Sequence, residues 1–193
     1  MLFILFGKSG VGKSTVLKDL IKYKKYKVEP IITYTTRPRR KDEKNDVDYH
    51  FIDKDAFLDM SIHNKFLEAT KYKVTDGDIW YYGSAKEDYL KAKREDKIVI
   101  VNPDGIEPIL KFCKENKIIV RVFYLHCHES VAIKRLEKRG DEWKEIKRRL
   151  AADDKDFTKD IIKCAHHKIN TSCLSPKQTA IKVGTVIEVM RKS

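Results

Sequence analysis

No apolar run in this 193-residue chain approaches the roughly 18 residues that carry a helix across a bilayer, so a membrane-spanning helix is excluded. Glycine and proline are scarce, at eight and five residues, which excludes collagen-like and linker-like chains. The four cysteines, Cys113, Cys127, Cys164 and Cys173, form no CxxC pair and no zinc-finger spacing. They read as reduced thiols of a cytoplasmic protein. The apolar opening Leu2-Phe3-Ile4-Leu5-Phe6 has no basic residue ahead of it and no small-residue cleavage site. A buried strand is expected there rather than a secretion signal. Acidic residues are outnumbered, 29 Asp and Glu against 41 Lys and Arg, for a formal charge of +12. That balance favours anionic partners. No recognised nucleic-acid-binding module is present, so nucleotides fit the charge better than nucleic acid or a membrane.

With 41% hydrophobic residues, a chain of this length buries a core as one domain. Apolar runs at 2–6, 28–32, 97–102 and 118–125 read as strands, and His167-Lys168-Ile169-Asn170 reads as a fifth. Helical patterns fall at 13–23, 85–95, 104–116, 129–163 (broken near Gly140) and 175–192. Strands alternating with helices predict a mostly parallel sheet covered on both faces. Residues 34–84 break the rhythm with short alternating segments rich in Tyr, Thr, Arg and Asp, and a small antiparallel insert is expected there. Residues 129–150 form a second, helical interruption dense in arginine and lysine. Tyr23 and Tyr26, set among lysines, are expected on a surface helix and turn. His126-Cys127-His128 alternates faces and reads as an ordinary strand exit.

Gly7-Lys8-Ser9-Gly10-Val11-Gly12-Lys13-Ser14 matches G-x-x-x-x-G-K-[ST]. It follows an apolar strand and opens a helical pattern, the context the motif needs. Its glycines let backbone N–H groups curl around an anion, and the helix N-terminus adds positive potential. Gly7, Ser9, Gly10, Val11, Gly12, Lys13, Ser14 and Thr15 are the expected ATP contacts. Lys13 reaches the β- and γ-phosphates, and the Ser14 hydroxyl ligates the Mg²⁺ that accompanies ATP.

The insert narrows the reaction. Thr33-Tyr34-Thr35-Thr36-Arg37-Pro38-Arg39-Arg40 sets three arginines behind a run of hydroxyls. Arginine forks suit a dianionic phosphate better than lysine does. Tyr49 offers a phenol donor, and Glu68 lies in the mostly apolar Lys65-Phe66-Leu67-Glu68-Ala69. Its carboxylate can accept from two donors on one edge of a base. Tyr81-Tyr82-Gly83-Ser84 supplies another phenol, a tight turn and a hydroxyl.

Through these residues the chain resembles the guanylate kinase family. The family pattern T-T-R-x-P-R-x-G-E-x-x-G-x-D-Y-x-F is similar to the stretch Thr35 to Phe51, with Arg37, Arg40, Glu43, Asp48, Tyr49 and Phe51 in register. Phe66-Leu67-Glu68 and Tyr82-Gly83-Ser84 resemble its F-[IL]-E and Y-G-[ST]. Arg135-Leu136-Glu137-Lys138-Arg139-Gly140, followed by Arg149-Leu150, looks like its lid, and Lys168-Ile169-Asn170 like its late strand. The resemblance covers essentially the whole chain.

It implies a single three-layer α/β P-loop NTPase fold over residues 1–193. The five-stranded parallel sheet would have order 2-3-1-4-5. The core would be 1–33, 85–128 and 151–193, the NMP-binding insert 34–84 and the helical lid 129–150. It implies transfer of the ATP γ-phosphoryl to GMP or dGMP, with Mg²⁺. Arg37, Arg40, Tyr49 and Tyr82 would hold the acceptor phosphate. Glu68 would read guanine, with Thr33 and Ser84 near the base edge. Arg135, Arg139 and Arg149 would close over the ATP phosphates, and Asn170 would lie near adenine. Lys13, Arg40 and the three lid arginines would neutralise the transferring charge.

The sequence departs from the family in places. Two family glycines are Asp42 and Asp46, and the loop proline is shifted by one to Pro38. The stretch through Val74-Thr75-Asp76-Gly77 looks longer than usual. The family's Asp-x-Asp reads Asn102-Pro103-Asp104. If the third strand continues that far, Asp104 takes over the metal-side role through water or orients the acceptor. These departures keep open a kinase for another nucleoside monophosphate or a phosphorylated small molecule. A non-catalytic binding module of the same fold is the alternative of another class; the intact phosphate loop argues against it.

Overall fold

The computed structural model describes residues 1–74 and 77–192. Part of the Val74–Gly77 stretch therefore lies outside the described residues. Five strands, β1 (Leu2–Phe6), β2 (Glu29–Pro30), β7 (Lys97–Ile100), β8 (Val120–His126) and β9 (His167–Asn170), form one parallel sheet in the order β2-β7-β1-β8-β9. This is the 2-3-1-4-5 order the family resemblance implies. All five residues of β1 are buried, as a central strand covered on both faces requires. Its side chains alternate between two cores. Phe3 and Leu5 pack with Val16 and Leu20 of α1 (Lys13–Lys22) and Ala180, Val183 and Ile187 of α8 (Pro176–Met190). Leu2, Ile4 and Phe6 pack with Ile106 and Ile109 of α4 (Pro103–Glu115) and with Tyr89 and Phe157. The three layers follow from that alternation. β2 is an edge strand, which tolerates Pro30 and its missing N–H.

A second sheet has the order β4-β3-β6-β5, from β3 (Tyr34–Thr35), β4 (His50–Phe51), β5 (Phe66–Lys73) and β6 (Ile79–Ala85). The β5–β6 and β3–β6 pairs are antiparallel, and short β4 joins β3 in parallel. Within this unit lies α2 (Lys54–Ile62), which the alternating pattern did not predict. Asp53 caps it by accepting from the Ala56 N–H, and buried Phe57 stacks on Phe66 at 4.4 Å. The cap residue was the signal available in the sequence.

The helical stretch 129–163 is three helices: α5 (Glu129–Lys138), α6 (Trp143–Asp156) and α7 (Lys159–Lys163). Gly140, at φ 87°, marks the first break. The predicted helix 85–95 is α3 (Lys86–Leu90) followed by a 3₁₀ turn. Two expectations are corrected. Tyr26 is not a surface residue: it is fully buried in the core that α8 covers. The third strand of the chain's parallel sheet ends at Ile100, and Asp104 lies in the first turn of α4 with Asn102 as N-cap. Pro103 at the first helical position favours that early helix start.

Candidate active site

The phosphate loop runs from the C-terminal end of β1 into α1. Gly10 adopts φ +76°, and a β-carbon there would come within 2.6 Å of the Ala132 carbonyl oxygen of α5. A β-carbon at Gly7 would stand 2.2 Å from the Leu125 carbonyl. Only glycine lets the loop lie this close to its neighbours. The α1 N-cap is Gly12, with no side-chain cap and no acidic residue in the first turn. An N-terminus without a side-chain cap, with the helix dipole behind it, suits an anion. Lys13 donates to the loop carbonyls of Gly7 and Lys8 at 2.5 and 3.0 Å. Burial pushes its ammonium pKa down to about 8, against the pull of Asp153. Asp153 of α6 accepts from the Ser9 N–H at 2.7 Å, and the neighbouring Asp154 pairs with Lys8 at 2.5 Å.

The wall opposite the phosphate loop is held by one carboxylate. Glu43 accepts from Arg37 Nη2 at 2.8 Å, from the Arg40 backbone N–H at 2.9 Å and from Arg40 Nη1 at 3.2 Å. Arg37 is only 4% exposed, and its guanidinium lies over the rings of Tyr49 and Phe51 at 5.4 and 5.5 Å. Tyr49 packs edge-on to Tyr82, and Tyr82 to Tyr72. Burial lowers the pKa of Arg40, and the charges of Arg37, Arg139 and Arg149 lower it further. The cations of the insert thus face those of the 129–150 stretch across a gap whose potential favours an anion.

At the far end, Glu68 of β5 sits beside α4. A β-carbon at Gly105 would lie 3.1 Å from Glu68 Cγ and 3.2 Å from Oε2. Ser84 Oγ donates to Glu68 Oε1 at 2.6 Å. Burial raises the Glu68 pKa, the serine bond opposes that shift, and Asp104 adds to it.

The arginines of α5 and α6 differ in what they hold. Arg135 donates to Thr171 Oγ1 and to the carbonyls of Thr171 and Val11, at 3.1, 2.7 and 3.3 Å. It clamps the phosphate loop to the segment after β9. Arg139 pairs with Asp141. Arg148 and Arg149 share Glu145, whose carboxyl their hydrogen bonds pull down to about 2.

A cavity of about 610 Å³ lies between these elements. It gathers the loop residues Gly7, Ser9, Gly10, Val11, Gly12, Lys13, Ser14 and Thr15 with Thr33, Arg37, Arg40, Tyr49, Glu68, Tyr82, Arg135, Arg139 and Arg149. Three expected site residues do not line it. Ser84 is fully buried behind Glu68. Asp104 acts on Glu68 only through its charge. Asn170, at the end of β9, accepts from the Ser172 N–H. Sequence reasoning missed Tyr72, Trp80, Arg148, Asp153 and Asp156, which also line the cavity. Asp153 had no signal of its own, since its contact to Ser9 spans 144 positions.

A phosphate loop at the end of a parallel sheet, facing a second arginine-rich wall across one cleft, defines a P-loop phosphotransferase with two anion subsites. A family model described as guanylate kinase matches residues 1–174. The guanylate kinase of Nitrosomonas europaea is 34% identical over 154 residues, covering 78% of this chain and 72% of that protein. The guanylate kinase of Mycoplasma genitalium is 34% identical over 159 residues, covering 77% and 60% respectively. In three dimensions the chain is similar over its full length to a guanylate kinase from Anaplasma phagocytophilum, with a TM-score of 0.69 at 17% identity and 87% of that chain covered. The chain belongs to the guanylate kinase family.

Proposed function

We propose that the protein transfers the γ-phosphoryl group of ATP to GMP or dGMP, giving ADP and GDP or dGDP, in the cytoplasm. The observation that carries this reading is a single cleft with a phosphate loop on one wall, Arg37 and Arg40 on the other, and the Glu68 carboxylate at its end. The insert 34–84 binds the monophosphate and 129–150 acts as the lid. Arg37, Arg40, Tyr49 and Tyr82 hold the acceptor phosphate, and Glu68 accepts from guanine N1–H and the 2-amino group. Thr33 lies beside the base. Lys13 and the loop amides take the β- and γ-phosphates. Arg139 and Arg149 neutralise charge as the group transfers, while Arg135 keeps the loop in shape.

The acceptor phosphate oxygen is already ionised, so no strong base is needed. Positioning and charge neutralisation supply the rate. The oxygen donors on the cleft wall, the Ser14 hydroxyl with the Asp153 and Asp156 carboxylates, suit Mg²⁺, a hard cation. An ion held there with ATP would supply positive charge against the phosphate oxygens. Asp104, set back in α4, serves the acceptor end by its field.

The test is ADP release from ATP and Mg²⁺ across a panel of nucleoside monophosphates and sugar phosphates. GMP and dGMP should give the highest kcat/KM. A preference for another acceptor supports the alternative kinase reading, and binding of GMP without ADP release supports a non-catalytic module.

A further inference from the structure

Tyr89 of α3 touches no phosphate-binding group, yet it ends a hydrogen-bonded chain that reaches the base end of the cleft. Its side chain is fully buried, and its hydroxyl lies 2.8 Å from Ser84 Oγ. Ser84 Oγ in turn donates to Glu68 Oε1 at 2.6 Å. A serine hydroxyl has one proton. With Glu68 ionised, that proton goes to the carboxylate, so Tyr89 donates to the serine. Burial holds the Tyr89 phenol pKa well above its ordinary value, which keeps it protonated for this task.

The other side of the carboxylate is bounded as well. Gly105 leaves room for Glu68, and any larger residue there would press on Cδ and Oε2. A hydroxyl on one oxygen and the first turn of α4 against the other leave Glu68 little freedom to turn.

We propose that Tyr89 is a positioning residue for guanine selection, acting through Ser84 to fix the plane of the Glu68 carboxylate so that its remaining lone pairs meet the N1–H and 2-amino donors of the acceptor base. The inference rests on the reading of Glu68 as the base-reading group. Two parallel hydrogen bonds from one base edge are sensitive to the plane of their acceptor. Without the phenol, the buried serine oxygen loses its donor and the hydroxyl is free to swing away from Glu68. Hypoxanthine, which lacks the 2-amino group, makes one of the two bonds and depends less on that plane. The GMP-to-IMP preference therefore reads the alignment directly.

The experiment measures kcat/KM for GMP and IMP in the parent, Tyr89→Phe, Glu68→Gln and the double variant. Tyr89→Phe should lower the GMP-to-IMP ratio about fivefold to tenfold, the loss expected of one buried hydrogen bond. The loss should appear in the KM for GMP, with the KM for ATP unmoved. In the Glu68→Gln background the same substitution should leave the ratio unchanged, because the group it acts through is gone. Ser84→Ala breaks the chain at its middle and decides the matter if Tyr89→Phe folds poorly: its ratio should fall at least as far. If Glu68→Gln lowers the ratio while Tyr89→Phe, or Ser84→Ala in its place, stays within twofold of the parent, the role of Tyr89 is overturned and the base reading stands. If Glu68→Gln itself leaves the ratio unchanged, the base reading falls and this inference with it.

Discussion

The carboxylate of Asp153 accepts a hydrogen bond from the backbone N–H of Ser9, 2.7 Å away, inside the loop shaped for nucleotide phosphate. An anion from the chain's own helix thus occupies one of the donors that an incoming phosphate needs. Asp153→Asn removes the charge and weakens that contact. Hydrogen bonds to charged groups are worth roughly 1.5–3 kcal/mol, so ATP without Mg²⁺ should bind about tenfold more tightly to the variant. Calorimetric titration with ATP in a chelator checks this. Equal affinities would mean that Asp153 and the phosphate use different donors.

Lys13 gives the site a pH dependence. Its folded pKa is pushed down to about 8 from 10.5, chiefly by burial. Between these values the unfolded chain holds more protons on this group than the folded chain does, so its contribution to stability rises with pH. Conversely, that contribution is fully present above 10.5 and is lost as pH falls through about 8. ATP binding reverses the preference, since phosphate favours the ammonium. Affinity for ATP should therefore fall as pH rises through about 8, with net proton uptake on binding. Titrations in two buffers of different ionisation enthalpy at pH 8.5 would show the uptake; its absence would assign the ammonium a higher pKa.

Gly105→Ala sets helix propensity against the site. In a helix alanine is favoured over glycine, by about 0.8–1 kcal/mol in the interior and by less in the first turn, where Gly105 sits. At this position the added methyl meets Glu68 at 3.1–3.2 Å. The variant should melt no lower than the parent by more than a degree or two, yet show a several-fold higher KM for GMP with the KM for ATP unchanged. Thermal melts and steady-state kinetics together separate the two effects. An unchanged KM for GMP would mean that Glu68 shifts without cost to the acceptor.

The strands of the parallel sheet and the phosphate loop were legible because each is a local pattern: a short apolar run, or glycines at fixed offsets before a helix. The helix α2 was obscured because its apolar periodicity is weak and only the Asp53 cap marks it. Tyr26 was misplaced because the lysines around it outweigh one aromatic, whereas the fold puts its ring against Gly184 of α8. Ser84 and Asp104 were singled out as positions in a motif. Which way each side chain faces depends on where β6 and α4 meet Glu68, and no motif encodes that contact. Asp153 and Arg135 reach the phosphate loop from more than 120 positions away, and only the closed tertiary structure brings them there.

The most direct test of phosphoryl transfer from ATP to guanylate is product analysis with the parent and Lys13→Ala, each incubated with ATP, Mg²⁺ and GMP. Lys13 is the part-buried ammonium at the phosphate site, donating to the Gly7 and Lys8 carbonyls, and removing it takes away charge neutralisation for the transferring group. The parent should yield ADP and GDP in equal amounts, and Lys13→Ala should yield them at least a hundredfold more slowly, as expected for loss of a preorganised electrostatic partner. Unconsumed GMP in the parent reaction, or a Lys13→Ala rate within twofold of the parent, would contradict the account.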